Sequence, residues 1–237
     1  MFEVTKFIKS ILNKFGWDLR GYQPRMRDAR TMLLIQKKID LVLDVGALIG
    51  GYAIELRNYG FSGTIVSFEP VSDSFLRLSQ QSQKDHLWEA YQLALGPKQG
   101  TISINVGDKI WTSSVLDYGP LYKEADPGLK AAPQEAQMVR LDEWTERNRL
   151  SENRMFIKLD VQGYERECLE GAEGILNNVQ MIQCELSLVE LYKGSWMFGE
   201  ALDWFERNGF KLYQIEPAFI DIKTARLLQV DGLFVRP

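Results

Sequence analysis

The residues best suited to chemistry lie in one segment, "FIKLDVQGYE", which contains a lysine and two acidic residues. Lys158 and Asp160 are two positions apart, so on a strand their side chains point to the same face. Asp160 ends this strand, and Glu165 follows where the next helix begins. A positioned basic group helps a weak nucleophile such as a hydroxyl to lose its proton. We therefore predict Lys158, Asp160 and Glu165 as catalytic residues.

Two further titratable residues complete the set of candidates. Glu185 ends the next strand, "MIQCE", at the corresponding position, and we predict that it contacts substrate. Three acidic side chains in one crevice also suit a divalent cation, but without a second clear set of ligands no metal is predicted. His86 is the only histidine. It lies between a helix and a strand in "SQKDHLWEA", where a surface position is the commoner role.

The segment "LVLDVGALIGGYAIEL" is a strand, a glycine-rich turn and a helix, and it predicts a small-molecule site. Glycines 46, 50 and 51 let the backbone turn tightly and approach a ligand. A phosphate loop would need a lysine after its second glycine, and a dinucleotide loop would have a different glycine spacing. The remaining pattern is acidic-x-Gly-x-Gly-x-Gly, which is typical of S-adenosylmethionine-dependent methyltransferases. Leu48 stands where its middle glycine usually is.

The second strand, "GTIVSFEP", supports a nucleoside ligand. It ends on Glu69, 25 residues after Asp44. In Rossmann-like folds an acidic side chain at this distance accepts hydrogen bonds from the ribose hydroxyls. This requirement is the same for a nicotinamide cofactor and for a methyl donor, so Glu69 alone does not choose between them.

Strand-like and helix-like segments alternate from residue 40 onward, which predicts a mostly parallel sheet covered by helices on both faces. The last two strand-like segments, "FKLYQIEP" and "LQVDGLFVR", indicate an antiparallel hairpin that places one reversed strand in the sheet. The stretch 109–137 breaks the rhythm and is interpreted as a long irregular loop. Its aromatic and hydroxyl side chains suit sugar recognition, and we place Ser113 and Ser114 beside the acceptor.

Composition sets broad limits on function. Hydrophobic residues at 45% and a net charge of −4 are typical of a soluble globular protein and give no support to a nucleic-acid partner. No apolar stretch is long enough for a membrane span, and lysines interrupt the amphipathic N-terminal segment. We predict a helical cap over residues 1–39, a domain over residues 40–237 and a cytoplasmic location. Two cysteines in different elements are expected to be unpaired.

Four stretches in this order resemble the FkbM family of methyltransferases: "DVGALIGGYA", "IVSFEP", "LALG" and "IKLDVQGYE". The segments "SSVL", "VRLDEW" and "VDGLFVR" are also similar to this family. The resemblance covers residue 40 to the C-terminus. It implies a class I methyltransferase fold, an α/β, Rossmann-like, mostly parallel seven-stranded sheet with a reversed last strand and helices on both faces.

The resemblance also implies S-adenosyl-L-methionine as the cofactor and methylation of a hydroxyl on a sugar, glycan or secondary metabolite. The residues that it places around the methyl donor are Asp44, Gly46, Ala47, Gly50, Glu69, Pro70, Ala94 and Leu95. The predicted substrate contacts are Ser113, Ser114, Gln162 and Glu185. Leu48 replaces an asparagine that is common in the family, and Gln162 replaces a frequent glutamate.

Two other functions stay open from the sequence. A nicotinamide-dependent oxidoreductase is compatible with Glu69 but not with the glycine spacing. A non-catalytic donor-binding or scaffold protein of the same fold is compatible with the substitutions at Leu48 and Gln162. The acceptor and the oligomeric state are not predicted by any pattern in the chain.

Overall fold

The computed structural model describes residues 14, 26–109, 112–125 and 128–237. Its strands are β1 (Leu41–Val45), β2 (Thr64–Phe68), β3 (Trp88–Tyr91), β4 (Ala94–Leu95), β5 (Gly100–Gly107), β6 (Ala131–Val139), β7 (Met155–Leu159), β8 (Val179–Ser187), β9 (Lys211–Asp221) and β10 (Arg226–Val235). Its helices are α1 (Met26–Gln36), α2 (Gly51–Asn58), α3 (Ser72–Ser82), α4 (Pro120–Ala125), α5 (Leu141–Arg147), α6 (Glu165–Glu170) and α7 (Phe198–Arg207), with a 3-10 helix at Glu173–Asn178.

A seven-stranded sheet in the order β3-β2-β1-β7-β8-β10-β9 forms the centre of the protein. Its strands pair in parallel except β10, which is antiparallel to both β8 and β9. Every residue of β1 and β7 is buried, as expected for strands that are covered on both faces. The predicted fold class and the terminal hairpin are therefore confirmed.

Alternation of side chains along β1 divides the core into two layers. Leu41 and Leu43 pack in the cluster formed with α5, α6 and α7, whereas Val42 packs in the cluster formed with α1, α2 and α3. Asp44 follows the parity of Val42, so its side chain points toward the second layer. The direction of this side chain determines which residues Asp44 can contact at the site.

A small second sheet, in the order β4-β6-β5, corrects the prediction of an irregular loop over 109–137. This stretch contains α4 and β6, and β6 pairs antiparallel with β5 from Gly100↔Met138 to Gly107↔Ala131. Pro133 lies inside β6, and proline in a strand interior is a signal against a strand. Pairing with a partner about thirty residues away is not visible as a local pattern, which explains the error.

The N-terminal prediction falls mostly on residues outside the described part of the chain, which begins, apart from Lys14, at Met26. Helix α1 lies within the predicted cap and packs Leu33 and Leu34 into the core. Of the helices that are described, none is both long and apolar enough to cross a membrane. Cys168 and Cys184 are buried and unpaired, as expected.

Candidate functional site

A cavity of about 400 Å³ opens where β1, β2, β7 and β8 end, and β4 and β5 of the small sheet also contribute to its lining. Most of the predicted site residues line it: Gly46, Glu69, Pro70, Ala94, Leu95, Ser113, Ser114, Asp160, Gln162 and Glu185. The other predicted residues lie outside the lining: Asp44, Ala47, Gly50, Lys158 and Glu165. The carboxyl ends of parallel strands thus meet at one site, as the fold requires.

The turn after β1 is fixed by its backbone. Gly46 has a φ of +74°, and a Cβ at this position would lie 1.9 Å from the carbonyl oxygen of Asp160. The N–H groups of Gly46 and Ala47 both donate to the carbonyl oxygen of Phe68, at 3.0 and 3.1 Å. Gly50 has a φ of +89°, and its Cβ would lie 2.7 Å from the indole of Trp88. Only glycine fits at either position.

The side chain of Glu69 links the turn that follows β1 to the turn that follows β2. It is 5% exposed, and its Oε2 accepts a hydrogen bond from the Leu48 N–H at 2.8 Å. Its Oε1 accepts one from the Val71 N–H at 2.9 Å. Burial raises the pKa of Glu69 to about 7, against the opposing effect of these two hydrogen bonds. Each oxygen keeps a second lone pair, so this carboxylate can still accept hydrogen bonds from a vicinal diol.

Leu48 has a left-handed backbone, with a φ of 54°. This conformation costs a leucine roughly 1 kcal/mol, whereas asparagine and glycine adopt it more readily. The conformation accompanies the hydrogen bond from the Leu48 N–H to Glu69. The glycine-like position that the sequence indicated is therefore real, but it is occupied by a residue that is strained there.

Lys158 links two acidic residues beneath the turn. Its Nζ lies 3.6 Å from Asp44 Oδ1 and 3.4 Å from Asp160 Oδ2, and it donates to the carbonyl oxygen of Gly46 at 3.2 Å. Burial disfavours the charged amine, but the neighbouring carboxylates of Asp160 and Asp44 outweigh it and raise the pKa of Lys158. Asp44 is fully buried, and its Oδ2 accepts a hydrogen bond from the Ser67 hydroxyl at 3.2 Å. Lys158 is therefore a charged link between these groups.

Glu165 stabilises the turn that follows β7. Its side chain is buried, and its Oε1 accepts hydrogen bonds from the N–H groups of Val161 and Gly163, each at 3.1 Å. Burial raises the pKa of Glu165 to about 7. The carboxylate faces the start of α6, where a negative charge is favourable. These contacts are local to the turn.

Gln162 bridges the two acidic residues of the cavity. Its Nε2 donates to Asp160 Oδ1 at 2.8 Å and to Glu185 Oε2 at 2.9 Å, and its Oε1 accepts a hydrogen bond from the Tyr192 hydroxyl at 2.5 Å. Its φ of 56° is also left-handed. The amide uses both of its donors, so a glutamate at this position would bring three carboxylates together.

Gln229 reaches the same cluster from β10 and was missed by the sequence analysis. Its Nε2 donates to Glu185 Oε2 at 2.9 Å. Burial raises the pKa of Glu185 well above its usual range, and the charges of Asp160 and Glu165 add to the effect. Within the described ranges, no three His, Cys, Asp or Glu side chains are grouped so that they would hold a metal ion.

A second side of the cavity is lined by hydroxyl and aromatic groups. Ser114 donates through Oγ to the carbonyl oxygen of Gln162 at 2.6 Å. Ser113 Oγ is buried and has no hydrogen-bond partner among the described residues. Tyr122 and Phe219 also line this side, and their rings lie 6.5 Å apart. Phe219 comes from β9, and no sequence signal connects it to the other three residues.

Among known protein families, one matches this chain. A model described as the methyltransferase FkbM domain matches residues 44–212, which is most of the chain. A comparison with curated proteins returned no match.

Several solved structures are similar to this chain at low sequence identity. The magnesium protoporphyrin IX methyltransferase of Synechocystis PCC 6803, solved with bound SAM, is 11% identical, with 98% of this chain and 96% of that chain covered and a TM-score of 0.47. An rRNA methylase from Streptococcus thermophilus is 11% identical, with 91% and 99% covered and a TM-score of 0.49. The strand order and the family match carry the assignment: the chain belongs to the FkbM methyltransferase family, whose methyl donor is S-adenosylmethionine.

Proposed function

We propose that this protein is an O-methyltransferase that transfers a methyl group from S-adenosylmethionine to a hydroxyl of a sugar, glycan or secondary metabolite. One observation carries the proposal. A single cavity combines the glycine turn and buried Glu69 on one side with carboxylates, carboxamides and hydroxyls on the other. The first side suits a nucleoside donor, and the second suits a polyhydroxylated acceptor.

The donor half fits S-adenosylmethionine by its own chemistry. Gly46 packs so closely against the Asp160 carbonyl that no Cβ fits there, and as a glycine it presents no side chain to a ligand. On this proposal Gly46 lies at the methionine end, Glu69 and Pro70 at the ribose, and Ala94 and Leu95 at the adenine. Residues 44, 47 and 50 act from behind the lining by holding the turn in place.

When bound, S-adenosylmethionine supplies a methyl group on a positively charged sulfur, which is attacked in line by the acceptor. The chain contributes alignment, exclusion of water and removal of a proton. Of the residues predicted as catalytic, Asp160 lines the cavity, whereas Lys158 and Glu165 are engaged outside it. We therefore assign Lys158 and Glu165 positioning roles and keep Asp160 and Glu185 as the acidic groups that face substrate.

The acceptor half supports a hydroxylated substrate. The unpartnered Ser113 Oγ can donate or accept a hydrogen bond, and Gln162, Gln229 and Glu185 present amide and carboxylate groups nearby. Tyr122 and Phe219 offer ring faces that pack against the C–H face of a sugar. This combination favours a sugar or polyol over a purely apolar acceptor.

Two measurements test the proposal. The first is calorimetry with S-adenosylmethionine, S-adenosylhomocysteine and NAD, in which we expect binding of the first two only. The second is transfer of labelled methyl to a panel of methyl glycosides, amino sugars, oligosaccharides and phenolic metabolites. Alkaline hydrolysis of the product releases methyl esters, and the carbon-13 NMR shift of the labelled methyl group distinguishes ethers from amines. Label in an ether linkage supports O-methylation, and label confined to nitrogen or carboxyl oxygen contradicts it.

The same measurements separate the alternatives. Binding of NAD without response to the sulfonium ligands would indicate an oxidoreductase. Binding of the donor without transfer to any member of the panel would favour a donor-binding scaffold, for which the strained Leu48 and the amide at Gln162 are the motivating observations. The cytoplasmic location stays a prediction that cell fractionation tests.

A further inference from the structure

The cavity contains two carboxylates on its acceptor side, and they differ in how their oxygens are used. Both oxygens of Asp160 have partners, because Oδ1 accepts from Gln162 Nε2 at 2.8 Å and Oδ2 lies 3.4 Å from Lys158 Nζ. Each oxygen keeps a second lone pair, but a proton on Asp160 would neutralise the carboxylate and weaken its ion pair with Lys158. Because Lys158 also contacts Asp44 and the Gly46 carbonyl, loss of this ion pair would disturb the donor turn.

Glu185 is engaged on one oxygen only by its neighbouring amides. Gln162 Nε2 and Gln229 Nε2 both donate to Oε2, each at 2.9 Å. These two amides come from different elements, the turn after β7 and strand β10, and together they fix the orientation of the carboxyl group. The second oxygen, Oε1, is the one that they leave for another partner, and Glu185 lines the cavity.

We propose that Glu185, rather than Asp160, accepts the proton of the acceptor hydroxyl during methyl transfer. This inference rests on the proposed function. The acceptor oxygen forms a bond to the methyl carbon while the bond from that carbon to sulfur breaks and its electron pair stays on sulfur. The hydroxyl proton moves to the Glu185 carboxylate, from which solvent removes it after the product leaves. Gln162 and Gln229 are positioning residues that hold Glu185 in place.

The electrostatic surroundings of Glu185 support this role. The charged and titratable groups around it are Lys158 of β7, Asp160 directly after β7, Glu165 of α6, Asp231 of β10 and Tyr192. Burial comes first and the acidic neighbours second in raising the pKa of Glu185, whereas Lys158 opposes them. A carboxylate whose pKa is raised is a stronger base than an ordinary glutamate. Transfer should therefore slow as the pH falls through the raised pKa of Glu185.

The test compares four proteins: the wild type, Glu185→Gln, Glu185→Asp and Asp160→Asn. Single-turnover transfer is measured from pH 5.5 to 9 with the member of the acceptor panel that the wild type labels, and calorimetry gives the affinity for S-adenosylhomocysteine. Glu146→Gln, on an exposed face of α5, is the matched control. Carbon-13 NMR of protein labelled at the glutamate carboxyl groups follows the titration of Glu185 without any acceptor.

We expect Glu185→Gln to slow transfer by about 100-fold or more. Its transfer rate should also no longer fall at low pH, which is the acidic limb of the pH profile. Its affinity for S-adenosylhomocysteine should stay within about threefold of that of the wild type. Glu185→Asp should keep the limb at a reduced rate, and the NMR signal of one carboxyl with a raised pKa should disappear in Glu185→Gln. Transfer by Glu185→Gln within threefold of the wild type, or an unchanged acidic limb, would overturn the proposal. Loss of the limb in Asp160→Asn instead would assign the proton to Asp160. No transfer by the wild type would overturn the proposed function itself, and with it this inference.

Discussion

The donor half and the acceptor half of the cavity are built in different ways. In the donor half the decisive contacts are made by backbone groups of the turns after β1 and β2, which Glu69 ties together through the N–H groups of Leu48 and Val71. In the acceptor half the contacts join side chains from the turn after β7, from β8 and from β10, with Gln162 and Gln229 donating to Glu185. A site formed by backbone groups requires particular backbone angles but tolerates many side chains. A site formed by hydrogen-bonded side chains depends on the identity of each residue.

From this difference we expect the two halves to respond differently to substitution. In the donor half a residue matters through the backbone angle that it permits, as at Gly46. In the acceptor half a residue matters through the hydrogen bonds that its side chain donates, as at Gln162. Lys158 contacts both halves, since it donates to the Gly46 carbonyl and pairs with Asp160.

We expect the largest effect on stability at Lys158, where the two halves meet. Lys158→Met leaves Asp44 fully buried without its cation, and loss of one partner of a buried pair costs about 3–5 kcal/mol. Urea unfolding should show this loss in the free energy of unfolding. The double variant Asp44→Asn with Lys158→Met is the matched control and should recover part of the stability. A loss below about 1 kcal/mol in the single variant would show that Lys158 does not link the two halves.

The next effect tests the donor half alone. Gly46→Val places a side chain against the Asp160 carbonyl at a left-handed φ, so the turn must move. We expect roughly a 100-fold loss of affinity for S-adenosylhomocysteine, equivalent to ~2.7 kcal/mol. Gly51→Ala is the control, because a Cβ at that position meets nothing within 4 Å. Calorimetry with both variants gives the answer, and equal affinities would contradict a backbone-built donor site.

A smaller effect concerns pH. The pKa of Glu69 is raised to about 7 by burial, and ribose hydroxyls donate more strongly to its ionised form. Donor binding should therefore weaken as the pH falls from 8 to 6, by up to about tenfold, because protonation competes with binding. Glu69→Gln should remove this slope, whereas Glu165→Gln should keep it, since Glu165 has a similar pKa but lies outside the cavity lining. An identical slope in Glu69→Gln would mean that Glu69 does not contact the donor.

The smallest effect compares Leu48 and Gln162, the two cavity-lining residues other than glycine that have a left-handed backbone. Leu48→Gly should raise the free energy of unfolding by about 0.5–1 kcal/mol, because it relieves backbone strain and removes no side-chain hydrogen bond. Gln162→Gly relieves the same strain but removes three side-chain hydrogen bonds, so it should lower stability by about 1–2 kcal/mol. Thermal unfolding of both variants measures the difference, and changes of the same sign would erase the contrast between the halves.

Much of the donor half follows from the sequence because its residues are close together along the chain. The strand-turn-helix pattern around Gly46 indicated the turn before any tertiary contact was considered, whereas the ribose contact of Glu69 stays a prediction. The alternation of strands and helices also predicted the parallel sheet and its terminal hairpin. These are local or short-range properties, set by backbone angles and by hydrophobic patterning.

The rest was decided by tertiary structure, for identifiable reasons. The orientation of β1 in the sheet directs the Asp44 side chain toward the helices α1 to α3. Lys158 pairs with Asp44 beneath the turn, away from the cavity. The insertion of β10 between β8 and β9 brought Gln229 to Glu185, which lies 44 residues earlier in the chain. No local pattern encodes strand order or the pairing of β5 with β6. The sequence by itself determined the family, the fold class and the donor turn, whereas the arrangement of charges on the acceptor side appeared only once distant strands lay side by side.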